Sequence, residues 1–291
     1  MGEPIRIWKY HGTGNDFVML EDLGDARPLD PALVASLCDR HLGVGGDGVI
    51  RVTRDREGND FFMDYRNADG SLAEMCGNGI RCLAAFAIDR GLTDATELTV
   101  GTRDGTKHVS LDIDNGRVKS VTVGMGPPAF ARGDIPMEGP ANDTFLTEPF
   151  EVDGRTFKAS AVSMGNPHLV LFVDDDPDDV DVRTIGPRIE NDPRFPEKAN
   201  VEFIAVHDGG VKARVWERGS GETMACGTGA CAALVAANEA GLVRARADVR
   251  FPGGTLVVER TDVEVLLSGP AEFVFEATIA PSWLAERGLR P

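Results

Sequence analysis

The chain has 291 residues, of which 42% are hydrophobic and 26% are charged, a composition typical of a folded globular protein. Its 30 basic and 47 acidic side chains give a formal net charge of −17. Because a protein that binds nucleic acid needs a basic surface, this balance argues against a nucleic-acid partner. No apolar run is long enough to span a membrane, and the N-terminus lacks the pattern of a signal peptide, which predicts a cytoplasmic protein with no membrane partner.

Short segments that alternate apolar and polar residues predict half-buried strands. In chain order these segments are Ile5–Ile7, Val109–Ile113, Val118–Val123, Val211–Trp216, Thr255–Glu259 and Val263–Leu267. Two Ala-rich segments, 80–90 and 230–240, predict helices that end at Gly91 and Gly241, because glycine readily adopts the left-handed conformation that caps a helix. Both segments are nearly apolar on all sides, which predicts that each helix is buried within a sheet.

The two predicted helices belong to an internal repeat. Residues 76–92 read CGNGIRCLAAFAIDRGL, and residues 226–242 read CGTGACAALVAANEAGL. Gly14-Asn15 recurs as Gly165-Asn166 and Gly105-Thr106 as Gly254-Thr255, in the same order. We therefore predict an α+β fold of two pseudo-symmetric α/β halves, joined near residue 130, where prolines interrupt regular structure. Each half is expected to be a mostly antiparallel or mixed sheet wrapped around a central helix.

The five cysteines do not form an obvious disulfide or zinc pattern. Their number is odd, no export signal is present, and none is spaced C-x-x-C. Cys38, Cys82 and Cys231 lie in apolar segments and are interpreted as core residues. Cys76 and Cys226 differ from these three, because each precedes a Gly-x-Gly at the start of a predicted helix.

A cysteine at a helix N-terminus lies beside unpaired backbone amides and a partial positive charge. This position lowers the pKa of a thiol, and the same amides can hold a carboxylate. If the two helix starts face one cleft, Cys76 and Cys226 flank a carbon α to a bound carboxylate. One thiolate could then remove a proton while the opposite thiol supplies one, which inverts the stereocentre. Converging amides in a dry site would stabilise the charge that develops.

Five segments together resemble the diaminopimelate epimerase family: GTGNDF at 12–17, NADGSLAEMCGNGIRC at 67–82, MGNPH at 164–168, NVEF at 200–203 and ERGSGETMACGTGA at 217–230. The resemblance implies conversion of LL-2,6-diaminopimelate to the meso form in lysine biosynthesis, without cofactor or metal, and commonly a homodimer. It also implies that the C-terminal segment returns to the first domain. The expected domains are 1–130 with about 276–291, and 131–275.

The resemblance also implies roles for individual residues. Cys76 and Cys226 match the acid/base thiols, and backbone amides at Gly77, Asn78, Gly227 and Thr228 match those that hold the reacting carboxylate. Side chains at substrate-binding positions are Asn15, Asn67, Asn166, Asn200, Glu217 and Arg218. His168 and Glu217 are expected to tune the thiol pKa values. Gly48 departs from the pattern, because some family members carry a substrate-contacting Gln there.

Two alternatives stay open at the level of sequence. One is a proline or hydroxyproline racemase-like enzyme of the same fold, although Arg218 and the asparagines have no use with a substrate that has one amino-acid end. The other is a non-catalytic module that binds an anion or a metal at the two glycine-rich helix starts.

Overall fold

The computed structural model describes residues 4–289, and its contacts divide the chain into two compact units. The first unit consists of two segments, one up to Val123 and one from Gly269 onwards. The second unit is Gly124–Ser268. The boundaries lie a few residues before the expected ones at 130/131 and 275/276.

The strands in chain order are β1 (Ile5–Gly12), β2 (Asn15–Glu21), β3 (Gly48–Thr53), β4 (Phe61–Asn67), β5 (Glu97–Thr102), β6 (Gly105–Asp114), β7 (Arg117–Gly124), β8 (Glu148–Val152), β9 (Arg155–Ser163), β10 (Pro167–Phe172), β11 (Asn200–His207), β12 (Gly210–Glu217), β13 (Gly221–Thr223), β14 (Arg246–Phe251), β15 (Gly254–Arg260), β16 (Val265–Gly269) and β17 (Glu272–Ile279). The α-helices are α1 (Pro31–Cys38), α2 (Gly77–Asp89), α3 (Val182–Glu190), α4 (Gly227–Glu239) and α5 (Pro281–Glu286). Two short 3-10 helices cover Arg132–Asp134 and Pro177–Asp179.

The sheet of the first unit has the strand order β17-β1-β2-β3-β4-β5-β6-β7. The pairs β2–β3 and β4–β5 are parallel, and the other pairs are antiparallel. The second unit has the order β8-β9-β10-β11-β12-β14-β15-β16, again with the third and fifth pairs parallel. The internal repeat therefore extends to strand order and direction. Strand β17 occupies in the first unit the position that β8 occupies in the second.

The predicted central helices are present. Helix α2 packs against β1, β2, β3, β6 and β17, and helix α4 packs against β9, β10, β11, β12, β14 and β15. Both helices are followed by a glycine at positive φ, +65° at Gly91 and +72° at Gly241, as the sequence predicts. Helix α2 also buries Arg81 completely, and its guanidinium donates to the carbonyl oxygens of Gly77 and Pro270.

Other helices cover the opposite faces of the sheets. Val34 and Leu37 of α1 pack in one apolar cluster with Val18 of β2. Ile185 and Ile189 of α3 pack in another apolar cluster of the second unit. Because successive residues of a strand point to opposite faces, a strand between two helices is buried on both sides, which explains the continuous apolar runs at 18–20 in β2 and 169–171 in β10. Within residues 4–289, no helix is both long and apolar enough to cross a membrane.

Candidate active site

Cys76 and Cys226 each cap the N-terminus of a buried helix. The Sγ of Cys76 accepts a hydrogen bond from the backbone N–H of Gly79 at 3.4 Å, and the Sγ of Cys226 accepts one from Gly229 at 3.4 Å. A Cβ at Gly79 would lie 2.8 Å from Cδ1 of Ile50. The glycines therefore allow the sheet to approach the first turn of each helix closely.

Two asparagines that the resemblance assigns to the substrate site lie beside Cys76. Cys76 Sγ is 3.7 Å from Oδ1 of Asn15 and donates to it, and Nδ2 of Asn78 donates to the same oxygen at 3.1 Å. The amide of Asn15 is oriented from its other end, because its Nδ2 donates to Oδ2 of Asp47 at 2.7 Å. The amide oxygen of Asn15 consequently faces the thiol.

Asp47 belongs to a charged network that the sequence analysis missed. It accepts a hydrogen bond from the backbone N–H of Asp16 at 3.1 Å and one from Arg40 at 2.7 Å. Arg40 and Lys9 also pair with the Asp16 carboxylate, at 2.7 and 2.6 Å. Burial raises the pKa of Asp16, but the hydrogen bonds from Arg40 and Lys9 outweigh it and hold this pKa well below its ordinary value. The available signal was Asp16 itself, which lies inside the GTGNDF segment.

Asn67 ends β4, opposite Gly48 in the antiparallel register, and its Nδ2 donates to Oγ of Ser71 at 3.1 Å. A Cβ at Gly48 would lie 2.5 Å from the carbonyl oxygen of Arg66 and 2.5 Å from Cε2 of Tyr65. The space beside this glycine is thus filled by the Tyr65 ring and by backbone. The packing of the Tyr65 ring and the Arg66 carbonyl group therefore explains why position 48 is occupied by glycine.

Cys226 lies at the end of a chain of polar side chains. Thr228 Oγ1 is 3.5 Å from the Cys226 Sγ, and Nδ2 of Asn166 donates to that hydroxyl oxygen at 3.4 Å. His168 Nε2 is 2.9 Å from Oδ1 of Asn166, and His168 Nδ1 is 2.8 Å from Oε1 of Glu202. All of these residues except Glu202 are expected at the site from the sequence. An acidic residue inside the otherwise apolar run of β11 was the signal that could have found it.

The pKa of Cys226 is raised, whereas the sequence predicts that it is lowered. Burial raises this pKa well above its ordinary value, and the nearby carboxyl groups of Glu217 and Glu202 raise it further. A hydrogen bond from Thr228 lowers it only in part. Burial likewise raises the pKa of Glu217, whose Oε1 accepts a hydrogen bond from Thr223. The prediction of a lowered thiol pKa is therefore wrong for Cys226, because the helix N-terminus does not offset desolvation and two carboxyl groups.

Asn200 is buried, and both ends of its amide contact the backbone. Its Nδ2 donates to the carbonyl oxygen of Pro167 at 3.0 Å, and its Oδ1 accepts from the backbone N–H of Arg218 at 2.9 Å. The Arg218 side chain is exposed and donates to the carbonyl oxygen of Glu197 at 3.1 Å. Asn200 thus fixes the backbone from which Arg218 projects. A guanidinium has five donors, so Arg218 keeps donors for a ligand.

The sequence profile of the family described as "Diaminopimelate epimerase" matches residues 7–131 and 160–274. The chain belongs to the diaminopimelate epimerase family. It is 47% identical over 275 residues to a diaminopimelate epimerase of Pelotomaculum thermopropionicum, covering 93% of this chain and 97% of the relative. It is 44% identical over 283 residues to one from Cyanothece sp., covering 94% and 99%. Membership makes the chain an isomerase of the epimerase type, as the sequence analysis predicted.

Solved structures confirm the predicted two-domain α+β fold. A probable proline racemase from Agrobacterium radiobacter has a TM-score of 0.71, with 95% of this chain and 93% of that chain covered. Its sequence identity is only 14%, so the likeness concerns the fold alone.

In this epimerase the predicted site residues fall into two groups, one in each unit. The first group consists of Cys76, Gly77, Asn78, Asn15 and Asn67, and the second consists of Cys226, Gly227, Thr228, Asn166, His168, Asn200, Glu217 and Arg218. Across the described part of the chain, no group of three or more His, Cys, Asp or Glu side chains is placed to hold a metal ion.

Proposed function

We propose that the chain converts LL-2,6-diaminopimelate to the meso form by two-base proton transfer at the α-carbon, with Cys76 and Cys226 as the two acid/base groups. The observation that carries the proposal is the repeated arrangement of a thiol that caps a buried helix and is followed by Gly-x-Gly. The curated relatives that carry the name diaminopimelate epimerase support the choice of substrate.

The proton balance of the proposed reaction is simple. In one direction the Cys76 thiolate removes the α-proton, and the Cys226 thiol donates its proton to the opposite face of the same carbon. The reverse reaction exchanges these roles. Because the pKa of Cys226 is raised, this thiol carries a proton at neutral pH and is suited to act as the acid.

The reacting carboxylate requires hydrogen-bond donors that do not have to reorganise during the reaction. The first backbone N–H groups of α2 and α4, at residues 77, 78, 227 and 228, lie at helix N-termini, where the helix dipoles favour an anion. Stabilisation of developing negative charge by such fixed donors is usually a large part of catalysis.

The second amino-acid end of diaminopimelate distinguishes it from proline. A distal carboxylate requires a donor such as the guanidinium of Arg218, and a distal ammonium requires acceptors such as Glu217 and the asparagine side chains. A substrate with a single amino-acid end would leave Arg218 without a ligand. The likeness to a proline racemase extends only to the fold, and no contact in the site favours that activity.

Alanine replacement of each thiol tests the proposal. Cys76→Ala and Cys226→Ala are each expected to reduce epimerisation by about a thousandfold or more, because positioned acid/base groups contribute roughly 10²–10⁴ in rate. Epimerisation of LL-diaminopimelate in D₂O, followed by NMR, reports inversion and exchange at the α-carbon together. Cys231→Ala is the matched control, because Cys231 is fully buried in the same helix as Thr228 and has no proposed role. Full turnover by either the Cys76 or the Cys226 variant would refute the two-base reaction.

We also propose that the chain forms a homodimer. Strand β17 lies at an edge of the first unit's sheet and exposes Phe273, Val274 and Phe275 by 52%, 50% and 39%. Contiguous exposed apolar residues on an edge strand are typical of a protein–protein contact, and a second copy is the partner that the family resemblance implies.

A further inference from the structure

The N-termini of α2 and α4 pack against chemically different residues. In the first unit β2 and β3 pair in parallel, with Met19 opposite Ile50, and in the second unit β10 and β11 pair in parallel, with Val170 opposite Glu202. A Cβ at Gly79 would meet Cδ1 of Ile50 at 2.8 Å, whereas a Cβ at the corresponding Gly229 would meet Oε1 of Glu202 at 2.7 Å. An ionisable group therefore replaces an apolar one directly beneath the helix that begins after Cys226.

A second replacement accompanies the first. The sequence repeat that aligns Gly14-Asn15 with Gly165-Asn166 also aligns Phe17 with His168. Phe17, His168, Ile50 and Glu202 are all fully buried. The pair of Phe17 and Ile50 in the first unit thus becomes the pair of His168 and Glu202 in the second. Burial of two ionisable groups costs free energy unless they are hydrogen-bonded to each other, as these two are.

The contacts of His168 determine where its protons lie. Its Nε2 is 2.9 Å from Oδ1 of Asn166, which can only accept, so Nε2 carries a hydrogen. Its Nδ1 is 2.8 Å from Oε1 of Glu202, so these two atoms share one proton. Whether that proton rests on the carboxyl group or on the imidazole, the pair has no net charge and Nε2 keeps its hydrogen. Burial raises the pKa of Glu202, which agrees with a proton retained by the pair.

The hydrogen at Nε2 sets the direction of the remaining bonds. It engages Oδ1 of Asn166, and the Nδ2 of that amide donates to Oγ1 of Thr228 at 3.4 Å. The Thr228 hydroxyl then has its own hydrogen available for the Sγ of Cys226 at 3.5 Å. Every donor in this series points towards the sulfur, and such a bond favours the thiolate.

The first unit orients its asparagine in the opposite sense. Asp47 accepts from Nδ2 of Asn15, which turns the amide oxygen of Asn15 towards Cys76. Cys226 also has the acceptor Glu217 beside it, and the Thr228 hydroxyl is the donor that opposes the effect of this acceptor on the pKa of the thiol. The anchors behind the two asparagines are an acidic side chain in one unit and a histidine N–H in the other, so Asn15 turns its amide oxygen towards Cys76, whereas Asn166 turns its amide nitrogen towards Thr228.

We propose that Glu202 is a positioning residue of the second thiol: by holding the Nε2 hydrogen of His168 in place, it orients Asn166 and Thr228 so that the Thr228 hydroxyl donates to Cys226. Glu202 acts through these side chains and does not touch the substrate. Glu217 of β12 and the Glu202–His168 pair of β11 and β10 are the ionisable groups that surround Cys226 from the packed strands. The catalytic part of this proposal rests on the proposed function.

A double-mutant cycle on kcat/KM separates this role from a merely structural one. Glu202→Ile introduces the residue that the first unit carries at the corresponding position, and we expect it to lower kcat/KM about tenfold, the scale of one hydrogen bond to a charged group. Thr228→Val removes the last donor of the series. If Glu202 acts through Thr228, then Glu202→Ile has less than about a twofold effect in the Thr228→Val background. Effects of the two substitutions that simply multiply would overturn the proposal.

Nitrogen-15 NMR of the wild-type chain tests the proposal without any assay of activity. With ¹⁵N-labelled histidine, and His168 assigned by comparison with His168→Asn, the Nε2 of His168 is expected to show the chemical shift and the one-bond proton coupling of a protonated ring nitrogen at neutral pH. An unprotonated Nε2 at neutral pH would overturn the proposal even if Glu202→Ile were unable to fold. A wild-type chain that does not epimerise diaminopimelate would refute the proposed function, whereas the NMR result would still decide the role of Glu202.

Discussion

Gly48 provides the sharpest test of how the first unit packs. A Cβ at this position would lie 2.5 Å from both the Arg66 carbonyl oxygen and Cε2 of Tyr65. Real carbon contacts at such distances are not tolerated, and a backbone carbonyl within a paired strand cannot move aside without disturbing β4. Gly48→Ala is therefore expected to destabilise the protein, although alanine is the smallest possible addition.

The size of the effect follows from the two contacts. Overpacking of a filled site costs typically about 1–3 kcal/mol, and a clash that involves backbone belongs at the upper end, about 3 kcal/mol. For chains near this size, 1 kcal/mol corresponds to roughly 2–4 °C in Tm, so Gly48→Ala is expected to lower Tm by roughly 6–12 °C. Differential scanning calorimetry at neutral pH measures this shift directly.

Gly24→Ala is the matched control. It lies in the same unit, and a Cβ there meets no atom within 4 Å. Its Tm is expected to stay within about 2 °C of that of the wild type, because surface substitutions change stability by about 0.5 kcal/mol or less. If Gly48→Ala and Gly24→Ala unfold at the same temperature, the packing argument at Gly48 is refuted.

Three further predictions concern ionisation, charge and assembly. Thr228→Val removes a donor that lowers the pKa of Cys226, so alkylation of Cys226, mapped by mass spectrometry, should require a higher pH; an unchanged profile would contradict this. The lowered pKa of Asp16 stabilises the fold above its unfolded-state value near 4, and this contribution is lost as pH falls towards the lower folded-state pKa. Asp16→Asn should therefore reduce the free energy of unfolding in urea more at pH 7 than at about pH 3, and an equal loss at both would count against the network. Val274→Glu should dissociate the proposed dimer in light scattering, whereas Val263→Glu, at a side chain 79% exposed, should not; a Val274→Glu dimer would exclude β17 as the contact.

The local structure around the thiols could be predicted from the sequence because it depends on short-range chemistry. Gly91 and Gly241 end helices since they tolerate positive φ, and the Cys-Gly-x-Gly starts follow from the same rule. The repeat then predicted the shared plan of both units, since homologous sequences adopt homologous folds.

Other features depended on contacts between distant segments. The hydrogen-bonded pair of Glu202 and His168 exists because β10 and β11 lie side by side, and nothing within either strand indicates the partner. The raised pKa of Cys226 depends on burial and on carboxyl groups from other strands, so the local rule for a helix N-terminus pointed the wrong way. Arg81 lies in an otherwise apolar helix. Its burial depends on hydrogen bonds to carbonyl oxygens, one of which belongs to Pro270, far along the chain.

The position of β17 bears on how the chain is made. This strand forms an edge of the first unit's sheet, yet it is synthesised after the whole of the second unit. The second unit is one continuous stretch and has all its strands once synthesis passes residue 268. We therefore expect the second unit to fold during translation. The first unit cannot complete its sheet until β17 has been synthesised.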